Sequence, residues 1–405
     1  MPKAFLIIST LDTKGEETDY LREKALSIGL VPIVMDISMG GETAFRADVP
    51  AERVAKAGGS SIETIRRSRE RSRITQIITQ GAVVIARRML TEGEIEGVLG
   101  VGGSTGTLMA TDVMRALPFG IPKLMISSTA ALPGLSTRYI GTGDIALFHS
   151  VVEISGVTGL LKNVLDRAVY AISGMMEKGV SPAKSEKKKA IALTMLGPCE
   201  MCAHSVRKGL ETEGFQVVGF SAAGIGDRAM EEMIAEGFFQ GVVDLAPGGV
   251  GEHLFGFMRD AGPHRLESAG RAGIPQIIST CSVNHMTPAK SKYKPEYYQR
   301  KKYDLDKFRS WIRLSTDELE QVADVFVKKL SLARGPVIII VPTNGWSSVD
   351  SPGNPTYDPD EDRIFVERLR HRIKTDIRII EVDANMEERR FAEAVIASSK
   401  ELFNG

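Results

Sequence analysis

The segment Gly102-Gly103-Ser104-Thr105-Gly106-Thr107 has the residue types and spacing best suited to holding an anion. A short apolar run leads into it and a helical pattern leads out. Glycines let a ligand approach the backbone, the free N–H groups of a helix start favour negative charge, and three hydroxyls add donors. A phosphate is the obvious guest. The segment is no Walker loop, because no lysine follows Gly106. It is no dinucleotide fingerprint either, because Thr105 stands where the third glycine of Gly100-x-Gly102-x-x-Gly would fall. The plain alternative is a tight strand-to-helix turn. The turn after the first strand, from Thr10 to Glu17, is the second candidate. Lys14 could supply the cationic charge that the glycine turn lacks, Asp12 could hold a metal, or Thr13 could simply open a capping box with Glu16. Asp36, at the end of the next strand, either accepts from a ribose or faces water.

Small polar turns after later strands add to these. Ser128 and Thr129 follow a strand of the first half. In the second half, Gly224, Gly226 and Arg228 form another anion cup at a helix start, unless Asp227 merely caps that helix. Gly248 and Gly249 follow the next strand, and Asn344, with Ser347 and Asp350, could hydrogen-bond a sugar or an acid. Cys199-Glu200-Met201-Cys202 enters a helix after a strand, and with Cys281 and a nearby histidine could form a zinc or redox site. A single C-x-x-C without a partner pair favours three half-buried thiols instead, and no metal site is assigned. The run from Arg66 to Arg73 suits a subunit contact better than nucleic acid, because it lacks interleaved aromatics. No Ser-His-Asp order or H-E-x-x-H has a convincing setting, so the catalytic residues are unknown.

The elements that must position these residues come in two similar sets. Residues 3–9, 97–107 and 120–127 are echoed by 189–194, 241–251 and 273–279. Strand and helix patterns alternate in both halves, which predicts two Rossmann-like, doubly wound parallel sheets related by an internal repeat and facing each other across a cleft. The expected domains are 1–180 and 189–405, joined by a linker over 177–189. Within the first, residues 16–27 read as a helix, 40–59 as a loop, 60–92 as a helix broken near Gly81, 140–144 as a short strand and loop, and 149–176 as a closing helix. Within the second, 284–314 reads as a surface excursion. The chain has 405 residues with 51 basic and 51 acidic side chains, so no net charge draws it to nucleic acid or acidic lipid. Three cysteines, no membrane-length apolar run and no signal-peptide pattern lead us to expect a cytoplasmic protein.

Leu11-Asp12-Thr13-Lys14-Gly15-Glu16, residues 97–107 and 151–176, Gly226-Asp227-Arg228-Ala229-Met230-Glu231 and residues 265–278 carry a resemblance. Together they resemble the family of the tomato mosaic virus resistance protein's ATP-binding region, whose bacterial members are uncharacterised. The resemblance spans nearly the whole chain. It implies two Rossmann-like subdomains, nucleotide binding and a homodimer; the plant member's block of a viral replication protein would not carry over. Three departures lie in the second half: Ala246-Pro247-Gly248-Gly249 replaces a threonine-rich turn, Thr343-Asn344-Gly345 lacks an arginine, and residues 383–388 replace a His-Ile-Asn-Asp stretch. The resulting expectation is an ATP- or nucleotide-binding enzyme, with Mg2+, acting on a small metabolite at the interdomain cleft. The alternatives are an ATP-independent isomerase, lyase or hydrolase of a phosphorylated or carboxylated metabolite, and a non-catalytic ligand-binding protein.

Overall fold

The computed structural model describes residues 3–43, 45–177 and 188–404. The chain divides into two compact units, 1–185 and 186–405. Most of the expected linker lies outside the described residues.

Unit 1 runs β1 (Ala4–Ser9), α1 (Leu11–Ser27), β2 (Val31–Asp36), α2 (Ala51–Ala57), α3 (Ile62–Arg67), α4 (Arg71–Thr91), β3 (Val98–Gly102), α5 (Ser104–Arg115), β4 (Lys123–Ser127), α6 (Leu135–Ile140), β5 (Ala146–His149) and α7 (Gly159–Glu177). Its five strands are parallel in the order β2-β1-β3-β4-β5. Phe5, Leu6, Ile7 and Ile8 are fully buried because helices cover both faces of the sheet. Leu6 and Ile8 belong to the core under α2, α4 and α5; Phe5 and Ile7 belong to the core under α1 and α7.

Unit 2 runs β6 (Ala190–Met195), α8 (Glu200–Thr212), β7 (Gln216–Ser221), α9 (Ile225–Ala235), β8 (Gly241–Asp244), α10 (Gly249–Phe255), α11 (Ser268–Ala272), β9 (Gln276–Ile278), β10 (His285–Met286), β11 (Lys302–Asp304), β12 (Ser310–Arg313), α12 (Thr316–Leu330), β13 (Val337–Pro342), α13 (Pro359–Arg372), β14 (Arg378–Val382) and α14 (Arg389–Asn404). Six strands make a parallel sheet ordered β14-β13-β9-β8-β6-β7, while β10, β12 and β11 form a small antiparallel sheet. Read from β7, the parallel order repeats that of unit 1 and adds one strand. The two Rossmann-like sheets and the internal repeat are therefore both present.

Several local expectations are corrected. The loop expected over 40–59 contains α2. The helix expected over 60–92 is two helices, because Ser68 adopts an extended backbone between them. Gly81 does not break α4. A Cβ there would lie 1.9 Å from the Val54 carbonyl oxygen and 2.8 Å from the Gly58 nitrogen, so the glycine lets α4 cross α2 closely. Residues 140–144 are not a strand; α6 and β5 flank them. The closing helix starts only at Gly159. The surface excursion expected over 284–314 holds for residues 290–309, which are mostly exposed, but Tyr297 and both ends of the segment, with Trp311, Ile312 and Leu314, are buried. Gly81→Ala should destabilise unit 1 by roughly 1–3 kcal/mol through overpacking. Urea unfolding followed by circular dichroism checks this, and an unchanged midpoint would exclude the close crossing.

Candidate functional site

In the strand order of unit 1 the chain reverses direction between β1 and β3. Open parallel sheets bind ligands at such a switch point, outside the carboxyl ends of the strands. The turns after those two strands are the two segments singled out from sequence. They meet: a Cβ on Gly106 would lie 3.8 Å from Thr10 Oγ1.

The helix that leaves β3 starts bare. Gly103 is the N-cap of α5, with extended backbone and no side-chain capping bond. Ser104 is exposed, while Gly103 and Thr105 are half-buried. Gly102 is buried and its carbonyl accepts from the Ser128 N–H at 3.4 Å, which draws the β4 turn alongside. A Cβ at Gly103 would meet nothing nearer than Ser128 Oγ at 3.9 Å, so the space above the turn is open. Thr107 turns inward instead. Its hydroxyl donates to the Gly102 carbonyl at 3.2 Å and lies 2.7 Å from Ser127 Oγ. Thr129 is likewise engaged, 2.8 Å from the Tyr139 hydroxyl.

The turn after β1 is built differently from the sequence reading. The helix begins at Leu11 and kinks at Lys14, so Thr13 does not cap it; its hydroxyl lies 2.9 Å from Thr10 Oγ1. The first donors of α1 are met from the end of β2 and the turn after it. Leu11 N–H donates to Asp36 Oδ1 at 3.1 Å, and Asp12 N–H to Ser38 Oγ at 3.1 Å. Asp36 also accepts from the Ser38 N–H at 2.9 Å and from the Ser38 hydroxyl. Burial raises its pKa above the usual carboxylate range against the pull of these donors. Asp36 thus acts as an internal anion for α1. Lys14 turns away from the glycine turn, its ammonium donating to the Ile154 carbonyl and lying 3.9 Å from Glu153.

Three cavities lie around this edge. One of about 810 Å³ beyond β2 is walled by Asp36, Ser38, Thr43, Phe45, Arg46 and Arg66. One of about 490 Å³ holds Asp12, Thr13, Glu16 and Glu42. A third, about 460 Å³, borders Thr105 between α4 and α5. Among the described residues no group of three His, Cys, Asp or Glu side chains is placed to hold a metal ion.

The corresponding helix starts of unit 2 are filled from within. Met201 and Cys202 N–H groups of α8 donate to the Glu387 carboxylate, each at 3.2 Å. At α9, Gly224 N–H donates to Asp227 Oδ2 at 2.8 Å, so the expected anion cup already holds a carboxylate. Gly226 serves packing, since a Cβ there would stand 2.2 Å from the Ser221 carbonyl oxygen. Gly248 and Gly249 do the same: added Cβ atoms would lie 2.3 Å from the Ser282 oxygen and 2.5 Å from Ala261 Cβ. Arg228 pairs with Asp260 at 3.3 Å and borders a cavity of about 370 Å³. The Asn344 amide donates to Asp383 at 3.0 Å. The three thiols are buried in one apolar cluster, and burial pushes the Cys202 and Cys281 pKa values well up, which disfavours the reactive thiolate.

Two buried arginines organise unit 2, and sequence reasoning named neither. Arg265 is fully buried and contacts Asp227 at 2.9 Å, Asp244 at 2.6 Å and Glu231 at 3.3 Å. Burial disfavours its charge, but these carboxylates more than offset that and raise its pKa. The Gly226–Glu231 motif therefore works as an ion cluster, for which the only sequence signal was two acids four residues apart on one helix. Arg313 joins Glu361 at 2.5 Å, Asp350 at 3.5 Å and Asp362. Beside it His285 is buried, which pushes its pKa down to about 3.

Two predictions follow from these clusters. Arg265→Met leaves three buried acids without their cation, so unit 2 should lose about 3–5 kcal/mol at neutral pH. A urea midpoint within error of the parent would refute this. His285 holds no proton when folded but gains one on unfolding below its ordinary value of 6.5. Stability tied to it is present above that pH and is lost as pH falls toward about 3. His285→Gln should therefore flatten the acid limb of stability against pH, and an unaltered limb would count against a neutral buried histidine.

A UPF0261 protein of Clostridium tetani is 33% identical over 406 residues, covering 100% of this chain and 99% of its own. The ToMV resistance protein Tm-1(GCR237) of Solanum lycopersicum is 29% identical over 99% of this chain, which spans only 56% of the tomato protein. A UDP-GlcNAc 2-epimerase from Neisseria meningitidis shares 12% identity and a TM-score of 0.24, over 68% of this chain and 82% of its own. The N-terminal and C-terminal domain models of the uncharacterised protein family UPF0261 match residues 3–181 and 188–403, and the chain belongs to that family.

Proposed function

We propose that unit 1 binds a nucleotide, ATP in the first instance, with its phosphates on the glycine turn. The observation that carries this is the bare start of α5. At the switch point of unit 1, α1 receives the internal carboxylate of Asp36, whereas α5 has no side-chain cap; in unit 2, α8 and α9 are met by Glu387 and Asp227, and α10, also without a side-chain cap, starts packed against Ser282 and Ala261. Gly103, Ser104, Thr105 and Gly106 would give backbone donors to the phosphates, and the hydroxyls of Ser104, Thr105 and Ser128 would add to them. The nucleoside would reach across β1 toward the cavity beyond β2. Strands about 4.8 Å apart make that a span of about 10 Å, within reach of a nucleotide. Mg2+ would arrive with the phosphates, since no ready cluster of metal ligands exists among the described residues. Asp12 is the acid on the adjoining turn that could take its water shell.

On this reading ATP serves a reaction on a small metabolite. The resemblance further implies a homodimer, and Leu160 and Tyr170 on α7 are exposed apolar groups suited to a partner. Calorimetry with ATP and Mg2+ tests the nucleotide site. Gly103→Asp would supply α5 with the carboxylate it lacks, in space that admits a side chain. ATP affinity should fall at least about tenfold, while thermal stability holds or rises by up to about 1 kcal/mol. Failure of the parent protein to bind ATP, or unchanged affinity in the variant, would overturn the assignment.

A further inference from the structure

We propose that unit 2 carries a docking surface for an anionic lipid bilayer, formed by the β11–β12 hairpin: its turn enters the headgroup layer and the lysines around it meet the lipid phosphates. The base of the hairpin is firmly held. Tyr303 faces Trp311 across the two strands, and Trp311 and Ile312 are buried, the latter in the core under α12 and α13. The turn at its tip is built the opposite way. Leu305 is 41% and Phe308 77% exposed, although both are large and apolar. Single exposed apolar groups need no explanation, but two on one projecting turn within a charged surround suit a contact surface.

The turn also carries its own hydrogen-bond partners. Leu305 and Asp306 N–H groups donate to the Arg309 carbonyl at 3.0 and 3.2 Å. Phe308 and Arg309 N–H groups donate to Asp306 Oδ1, each at 2.8 Å. The Arg309 guanidinium pairs with the same carboxylate at 2.7 Å, so the acid of the tip is offset by a neighbour. Lys290 Nζ donates to the Lys307 carbonyl at 2.6 Å. A segment whose backbone groups are met from within can enter a water-poor layer without the cost of stripped donors and acceptors.

The chain as a whole is neutral, but residues 290–309 hold eight basic and three acidic side chains. Arg300, Lys301 and Arg309 pair with Glu318, Asp358 and Asp306. Among the described residues, Lys290, Lys292, Lys294, Lys302 and Lys307 have no carboxylate partner, against Glu296 and Asp304 as the acids of the segment without a cation. The Lys290 bond brings one of these lysines onto the turn itself. A basic collar around an apolar tip complements a surface with negative headgroups outside and hydrocarbon beneath. Nucleic acid fits less well. A single strand needs several open rings on which to stack its bases. Here Tyr297 is buried and Tyr293 and Tyr298 pack edge to face, ring centroids 5.5 Å apart. Leu305 offers a base no ring, yet gains from leaving water.

The test sediments the full chain with vesicles of phosphatidylcholine alone and of phosphatidylcholine mixed with phosphatidylserine. The parent should bind the mixed vesicles, leave the neutral ones largely free, and dissociate as salt is raised. Phe308→Ser should weaken binding at least about tenfold. Lys307→Gln should weaken it about fivefold. Lys208→Gln, at an exposed position on α8, should leave it unchanged. Phe308→Trp should shift its emission to the blue on mixed vesicles and be quenched by bromine-labelled acyl chains, a signal that attraction to the surface alone does not give. No binding of the parent to mixed vesicles would overturn the proposal. So would undiminished binding in Phe308→Ser, capture of a single-stranded oligonucleotide without capture of vesicles, or self-association that Phe308→Ser abolishes in a protein that ignores vesicles.

Discussion

A parallel sheet aims the start of each following helix at one edge, and each start brings N–H groups with no partner inside the helix. That demand governs the polar architecture of both units. Asp36 meets it for α1, Glu387 for α8, Asp227 for α9 and Asp358 for α13. A carboxylate so placed also faces the positive end of the helix dipole, for about 0.3–1 kcal/mol in exposed settings and up to about 2 when partly buried. Asp227 and Asp358 act within their own helix starts, but two of the acids come from distant parts of the chain: Glu387 reaches α8 from the segment before α14, and Asp36 reaches α1 from the neighbouring strand. Those two bonds fix tertiary structure while they satisfy a local need. A helix start without an acid at this edge is then a departure from the scheme; α5 and α10 are two such starts, and α10 is packed against Ser282 and Ala261 while the space above α5 is open.

Burying acids in turn creates a charge problem, which unit 2 meets with Arg265 and Arg313. Arg265 links the end of β8, through Asp244, to Asp227 and Glu231 on α9. Arg313 links β12 to the loop after β13, through Asp350, and to Glu361 and Asp362 on α13. The small antiparallel sheet is thus held by charge as well as by the packing of Ile312 and Leu314 in the core under α12 and α13. Such clusters gain little over an apolar core when complete but cost several kcal/mol when one partner is removed. Their presence makes the loops after β9 and β13 interior structure. Ser347 and Asp350 look like ligand-facing residues in the sequence, yet both are buried.

The central strands were legible because a fully covered parallel strand must be a short, unbroken apolar run bounded by turn residues; β1, β3, β4, β6, β8 and β13 read so. Helix α2 was not legible. Its seven residues have little period of their own and are held by the close crossing with α4, which depends on Gly58 and Gly81 having no side chain. The site was legible in part. The glycine turn and the β1 turn could be placed together, since strand alternation sends both to one edge. Lys14 could not be oriented, because the kink that turns it toward Ile154 leaves no mark in residue types. Glycines carry an inherent ambiguity as well. Gly103 and Gly248 follow equivalent strands, but one has open space above it and the other has the Ser282 carbonyl. Composition says only that something comes close, and the fold decides whether that is a ligand or the chain itself.

That ambiguity shows how two copies of one fold come to differ. The repeated order keeps β1 and β3 in correspondence with β6 and β8, so each unit has its own switch point and its own pair of turns. In unit 2 the turn after β6 enters a helix whose donors Glu387 already holds, and the turn after β8 is packed against Ser282 and Ala261 ahead of a helix of only seven residues. In unit 1 the turn after β3 opens a helix of twelve residues with its cap position bare. A closed edge yields stability and an open edge leaves donors unmet until something binds. Holding the scaffold constant, the exchange of a few acids and glycines at strand ends is enough to move a unit from one state to the other.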